Sequence, residues 1–379
     1  MEHIIYLDNS ATTKPCKTAC DYINKALLTD WGNPSSLHTL GINAELTVTE
    51  ARECIAKKIS ARPDEIIFTG SGTEANNTAI MSALARKNRG NRIITTAIEH
   101  PSVLETVKRL ENNGFEIIKL GCDNNGCVKL SELEAALNEK TVLVSIMLIN
   151  NEVGSVQPVA EASKLIKKLS PNALFHCDAV QAFGKININV KNIGVDLLTA
   201  SAHKIHGPKG IGFLYCKKGI TITPFITGGG QERGMRSGTE AVPLIAGFMG
   251  AVKELGNLDV SLKNINEINL YAREVFTASG FIDINSPKDA LPFILNISVT
   301  GYRSETLLHF LESRNIFVSS GSACAKGEPS YVLTALGLDK KRSDSALRLS
   351  FSKTTTKEDI DLTLAALKDA VSRLRRSNI

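Results

Sequence analysis

The chain reads as an α/β protein built on a mostly parallel sheet, followed by a smaller α+β region. Three observations predict this. Between about residues 50 and 255, continuously apolar runs alternate with segments of helical period. Past Gly256 the apolar runs shorten and begin to alternate with polar residues, as antiparallel strands do. The length, 379 residues with 43% hydrophobic and 22% charged, suits a globular enzyme of two packed domains. The predicted domains are 15–255 (large) and 1–14 with 256–379 (small).

In the large domain, strands are predicted at 65–70 (EIIFTG), 92–97 (RIITTA), 116–120 (EIIKL), 142–149 (VLVSIMLI), 173–178 (ALFHCD), 195–200 (VDLLTA) and 210–216 (GIGFLYC). Helices fit from near Glu74, around 102–112, at 158–169 and at 240–255. In the small domain, strands fit 293–299, 316–320 and 346–352, and helices 304–314, 330–336 and 357–375. No internal repeat or low-complexity linker is visible.

Composition excludes several classes. The net charge of +5 is small for the length, and the C-terminal Arg373, Arg375 and Arg376 read as a solvated helix end, so no direct nucleic-acid partner is expected. The longest apolar run, 142–149, is too short to span a bilayer, and the N-terminus shows no signal peptide. The eight cysteines are dispersed with no CxxC pair, so no metal site is expected and the thiols are read as reduced, in the cytoplasm.

Five segments carry chemistry. In TASAHKIHGPKG (199–210) an apolar run ends on Lys204, and in ALFHCD another ends on Asp178. An amine and a carboxylate at successive strand ends are what a pyridine cofactor requires: the acid keeps the ring nitrogen protonated and the amine forms a Schiff base with the aldehyde. Either residue alone would read as a cap or a surface group; with Gln181, Ser201 and His203 beside them the cofactor reading prevails. TGSGTEANN (69–77) turns a strand into a helix, where backbone N–H groups and Thr73 would cradle a phosphate; a plain turn capped by Thr73 is the bland reading. His100 in AIEHPSVL follows a strand at the ligand-binding edge, placed to stack on a flat ring and to shuttle protons. Cys324 lies among small residues in SSGSACAKGEPSYVL, with Lys326 nearby to favour its thiolate; the other seven cysteines read as structural. Arg348, inside the apolar SALRLSFS, needs a partner: a buried ion pair, or a substrate carboxylate held in a fork.

Taken together, the chain resembles the cysteine desulfurases, the NifS/IscS-like (group I) branch of the class V, fold-type-I pyridoxal-phosphate enzymes. The likeness runs from YLDNSATT at residue 6 to the C-terminal helix, through GNPSSLH, TGSGTEANN, EHPSVL, NNEVGSVQP, HCDAVQAFGK, SAHKIHGPKG, MRSGTEAV and SSGSACA. The resemblance implies a large domain with a seven-stranded sheet and a small domain carrying a catalytic loop at about 319–330. It implies pyridoxal 5'-phosphate on Lys204, paired with Asp178, stacked by His100 and contacted at the ring hydroxyl by Gln181. Phosphate contacts fall on Gly72, Thr73, Ser201 and His203, and on Thr239 delivered from a second subunit, so a homodimer is expected. Asn151 and Arg348 match the substrate-carboxylate site, Asn151 also lying against the cofactor, and Cys324 the sulfur-accepting nucleophile.

The implied reaction converts L-cysteine to L-alanine and leaves a persulfide on Cys324. The implied acceptors are an iron–sulfur scaffold or a tRNA-thiolating enzyme, with Cys324 a candidate transient cluster ligand. Only AKG separates Cys324 from Glu328, a shorter segment than in housekeeping desulfurases, which bears on the reach of the loop. The chain lacks the N-terminal extension of the SufS-like branch. Three alternatives stand beside this reading. A selenocysteine lyase would need little from Cys324, a class V aminotransferase would have no use for it, and a non-enzymatic scaffold would not need Lys204.

Overall fold

In a computed structural model, residues 3–320 and 330–376 are described. The strands are β1 (Ile5–Tyr6), β2 (Ile66–Thr69), β3 (Arg92–Thr96), β4 (Glu116–Leu120), β5 (Thr141–Ser145), β6 (Leu174–Asp178), β7 (Leu197–Ser201), β8 (Gly212–Cys216), β9 (Asp283–Ile284), β10 (Ile294–Ser298), β11 (Ile316–Phe317), β12 (Ser319–Ser320) and β13 (Ala346–Ser350). Seven of them form one sheet in the order β2-β8-β7-β6-β5-β3-β4. All of its pairs are parallel except those of β8, which runs against both β2 and β7. Strands β5 to β8 are buried along their whole length, which is why their sequences read as unbroken apolar runs.

A second, antiparallel sheet has the order β12-β13-β10-β9. The N-terminal strand β1 pairs in parallel with β11, and Ser350 of β13 donates its backbone N–H to the Leu7 carbonyl at 2.7 Å. The chain start is thereby strapped to the C-terminal region before it crosses to the large sheet. There Thr13 donates its N–H to the His203 carbonyl at 2.9 Å.

Three sequence expectations are corrected. The run 142–149 is not one strand: β5 ends at Ser145, level with Thr95 near the end of its neighbour β3. The apolarity continues because Met147 and Ile149 form the floor of a cavity, not because they pair in the ladder. The run 316–320 splits at Val318, so that β11 serves one sheet and β12 the other. The helix predicted from near Glu74 starts at Gly72, and its cap is Ser71, whose hydroxyl accepts the Glu74 N–H at 3.0 Å, rather than Thr73. Two long helices went unread, Thr39–Lys58 and Leu258–Ala278. No helix among the described residues is long and apolar enough to cross a membrane.

Candidate active site

The carboxyl ends of β3, β6 and β7 open onto one cavity of about 360 Å³, where ligands of open α/β sheets sit. Of the predicted site residues, Gly72, Thr73, His100, Asn151, Asp178, Gln181, Ser201, His203, Lys204 and Arg348 all line it. Thr239 does not. It is exposed, on a segment fastened to the same helix start by the Arg236–Glu74 ion pair (2.9 Å). Cys324 lies outside the described residues, as does Lys326.

Asp178 is the last residue of β6 and is buried. Both of its oxygens are held: Oδ1 accepts the Val180 N–H at 2.9 Å and Oδ2 accepts the Asn76 amide at 2.7 Å. The Asn76 amide also donates to the Ser102 hydroxyl at 2.8 Å, and that hydroxyl meets His100 Nδ1 at 2.8 Å. The carboxylate, amide, hydroxyl and imidazole thus form one chain of hydrogen bonds. His100 caps its helix, Pro101–Glu111, by accepting the Ser102 N–H, which fixes the ring on the cavity side. Its pKa is lowered, mainly by desolvation and further by Lys204, with Asp178 opposing. Asn76 and Ser102 were not singled out from the sequence. Their signal was present: Asn76 lies one turn into the helix that TGSGTEANN opens.

Lys204 follows β7 in a single turn, Ala202–Lys204. Its amine donates to the carbonyls of Ser10 (2.5 Å) and Ala11 (2.9 Å), on the N-terminal strap. Burial lowers its pKa from 10.5 to about 8, with the Arg348 charge assisting and Asp178 opposing. His203 is lowered to about 4 by burial and the neighbouring lysines, so it offers a neutral imidazole and no charge. Gly72 starts the helix because a Cβ there would stand 2.9 Å from the Val180 side chain; its absence lets backbone N–H groups approach whatever the cavity holds.

Arg348 meets both readings of the sequence. It pairs with Asp8 at 2.9 Å and donates to the Asn151 carbonyl at 3.0 Å. Its Nε is buried and has no partner among the described residues. Three other buried polar atoms of the cavity lining, Ser10 Oγ, Asn76 Oδ1 and Asn151 Oδ1, likewise lack partners among the described residues. Such atoms are costly unless a ligand satisfies them. A flat heteroaromatic ring with a phosphate fits this lining: a carboxylate for the ring nitrogen, an amine of lowered pKa for an aldehyde, and a helix start for the phosphate.

Of the cysteines described, Cys177 and Cys216 are buried in strands, and Cys16 caps the helix Lys17–Thr29 through its sulfur. Cys20 is exposed on that same helix. Among the described residues no group of three or more potential ligands could hold a metal ion.

A mostly parallel sheet with this cavity at its strand ends agrees with the class V, fold-type-I architecture expected from the resemblance. Comparison with known proteins agrees: the class-V aminotransferase family pattern matches residues 5–363. The chain is 43% identical over 378 residues to a putative cysteine desulfurase IscS 1 of Bacillus subtilis (98% of this chain, 99% of the relative). A solved NifS-like protein superposes with a TM-score of 0.93 at 38% identity, covering 98% of this chain and all of that one (100%). A solved structure described as SspA in complex with cysteine has a TM-score of 0.82 at 33% identity, covering 92% and 98%. The chain belongs to the cysteine desulfurase branch of the class V pyridoxal-phosphate family.

Proposed function

We propose that the cavity binds pyridoxal phosphate and L-cysteine together, and that the protein converts cysteine to alanine while the sulfur passes to Cys324. The observation that carries this reading is a buried amine of lowered pKa, Lys204, and a carboxylate, Asp178, in one cavity whose lining keeps four polar atoms without partners among the described residues. When bound, pyridoxal phosphate supplies an aldehyde that takes the substrate's amino group and a ring that accepts the electron pair left at Cα.

The residues divide the remaining work. Asp178, its oxygens oriented by Asn76 and Val180, would keep a proton on the ring nitrogen of the bound cofactor. Lys204 would hold the aldehyde of the bound cofactor, and its neutral amine would take the Cα proton of the substrate. Arg348 would orient the substrate carboxylate through its buried Nε–H, which has no partner among the described residues, with Asn151 beside it in the lining. His100, its pKa lowered, is a neutral base at mid pH and moves the proton of the substrate thiol. The Cys324 thiolate attacks the substrate sulfur: an S–S bond forms, the Cβ–S bond breaks, and the electron pair returns to carbon, which is protonated to alanine. No external oxidant enters.

The exposed apolar side chains of Leu27, Leu28, Trp31, Leu37, Ile42 and Leu46 gather within one stretch of chain and favour a homodimer, in which Thr239 would reach the other subunit's phosphate site. The domain division at 15–255, with residues 1–14 joining the C-terminal part, is supported by the β1–β11 pairing. The strap nevertheless also touches Lys204. Resemblance extends the reading to a cytoplasmic protein that passes sulfur to an iron–sulfur scaffold or a tRNA-thiolating enzyme.

The test is a single turnover with L-cysteine and dithiothreitol, alanine and sulfide both quantified. Wild type should yield equal amounts and Cys324→Ala neither. Full activity in Cys324→Ala would overturn the assignment and turn the search to selenocysteine or an amino-group acceptor.

A further inference from the structure

Behind the cavity lies a second buried amine that the reaction does not use. Lys185 is 7% exposed, and no acid among the described residues pairs with it. Its amine sits 5.8 Å from the centre of the Phe293 ring and donates at 2.9 Å to Oε1 of Gln181, one helical turn back in sequence. On the other side of that amide, Gln181 Nε2 donates at 3.0 Å to the Ser10 carbonyl, the same oxygen that holds the Lys204 amine.

Each partner of Gln181 is one-way. The Lys185 ammonium can only donate; a carbonyl only accepts. The oxygen and nitrogen of the amide therefore cannot exchange places without setting Oε1 against the Ser10 carbonyl. One N–H of Nε2 goes to Ser10, and the other is left on a side chain that lines the cavity.

We propose that Lys185 is a positioning residue: it locks the Gln181 amide so that the cavity always meets an N–H donor, and so that the Ser10 carbonyl stays turned to Lys204. The inference rests on the cavity being the pyridoxal-phosphate site. Without Lys185 only the Ser10 carbonyl opposes a turn of the amide. A turned amide would present an acceptor where an electron-rich ring oxygen needs a donor, and it would push the Ser10 carbonyl away from Lys204.

Burial pushes Lys185 down from 10.5 to about 7, with Lys204 and Arg348 adding to the effect. Once deprotonated, the amine can accept as well as donate, so the lock loosens with rising pH and the Ser10 carbonyl is left as the one-way partner of Gln181. The other charged or titratable groups around the adjoining cavity are Cys16, His206, Glu254 and Lys353.

The test uses Lys185→Met, Gln181→Ala and the double variant, each as full-length apoprotein titrated with pyridoxal phosphate. Three quantities are read: Kd, the pH midpoint of the bound cofactor's absorbance change, and Tm. Lys185→Met should weaken the cofactor by about tenfold and move the absorbance midpoint, with Tm unchanged or higher, since a buried unpaired amine is being replaced by an apolar chain. In the Gln181→Ala background the same substitution should change Kd less than about twofold, because residues acting as one unit are not additive. Additive losses, or a lowered Tm with an unmoved midpoint, would make Lys185 a structural residue and overturn the inference. If wild type shows no absorbance dependent on Lys204, the cofactor reading itself falls, and the inference with it. An intact wild type beside an unaffected Lys185→Met sinks only the inference.

Discussion

The cavity has two walls of different construction. The strand-end wall comprises Asp178, Asn76, Ser102 and His100, joined in one run of hydrogen bonds that uses both carboxylate oxygens. The strap wall comprises Ser10, Asn151 and Arg348, with Asp8 behind, and it holds three of the four unpartnered buried atoms. The first wall is set before any ligand arrives, which suits a resident group whose electronics must be fixed. The second keeps donors and acceptors in reserve, which suits a substrate that enters and leaves. Lys204 belongs to both, since it follows β7 yet its amine rests on the strap carbonyls.

That contrast can be broken at several points. Lys204→Ala removes the residue common to both walls, and turnover of cysteine should fall by at least about 10³-fold, measured as alanine formed. Activity within tenfold of wild type would remove Lys204 from the chemistry. Asp178→Asn keeps the shape of the strand-end wall but not its charge. The rate should fall by about 10²-fold or more with little change in Tm, measured by stopped flow and thermal melt.

A smaller effect sharpens the role of Lys204. Its pKa is depressed, so the neutral, reactive amine becomes half-populated near pH 8 rather than 10.5, and reactivity rises with pH through that lower window. Labelling of the apoprotein by an amine-directed reagent should therefore show a midpoint near 8 at Lys204. The Arg348 charge contributes to this depression, so Arg348→Leu should move the midpoint upward. A midpoint near that of an exposed lysine would contradict the burial argument.

The two walls also differed in how far the sequence disclosed them. Asp178 and His100 end or follow apolar runs, so a strand-end position was readable from covalent neighbours alone. The strap wall is tertiary: Arg348 visibly needed a partner, but Asp8 is 340 residues away and nothing local names it. Packing hid other features. The helix Thr39–Lys58 buries Gly41, Ala44, Val48, Ala51 and Ile55, a stripe mostly too small to register as apolar. Exposed Leu40, Ile42 and Leu46 blur its period further. The run 142–149 misled in the opposite direction, because cavity lining and strand core demand the same residues. The Lys185–Gln181 contact was within reach at a spacing of four, but only burial marks that lysine as unusual.

The division of labour between the walls is tested most directly by Arg348→Lys, with two constants measured on the same preparation: Kd for pyridoxal phosphate and KM for L-cysteine. Lysine keeps the charge but loses the planar fork. The account predicts KM raised by about tenfold or more while the cofactor Kd stays within about twofold. A variant that loses its cofactor and leaves KM unchanged would show that the strap wall serves the resident group, and the contrast between the walls would be wrong.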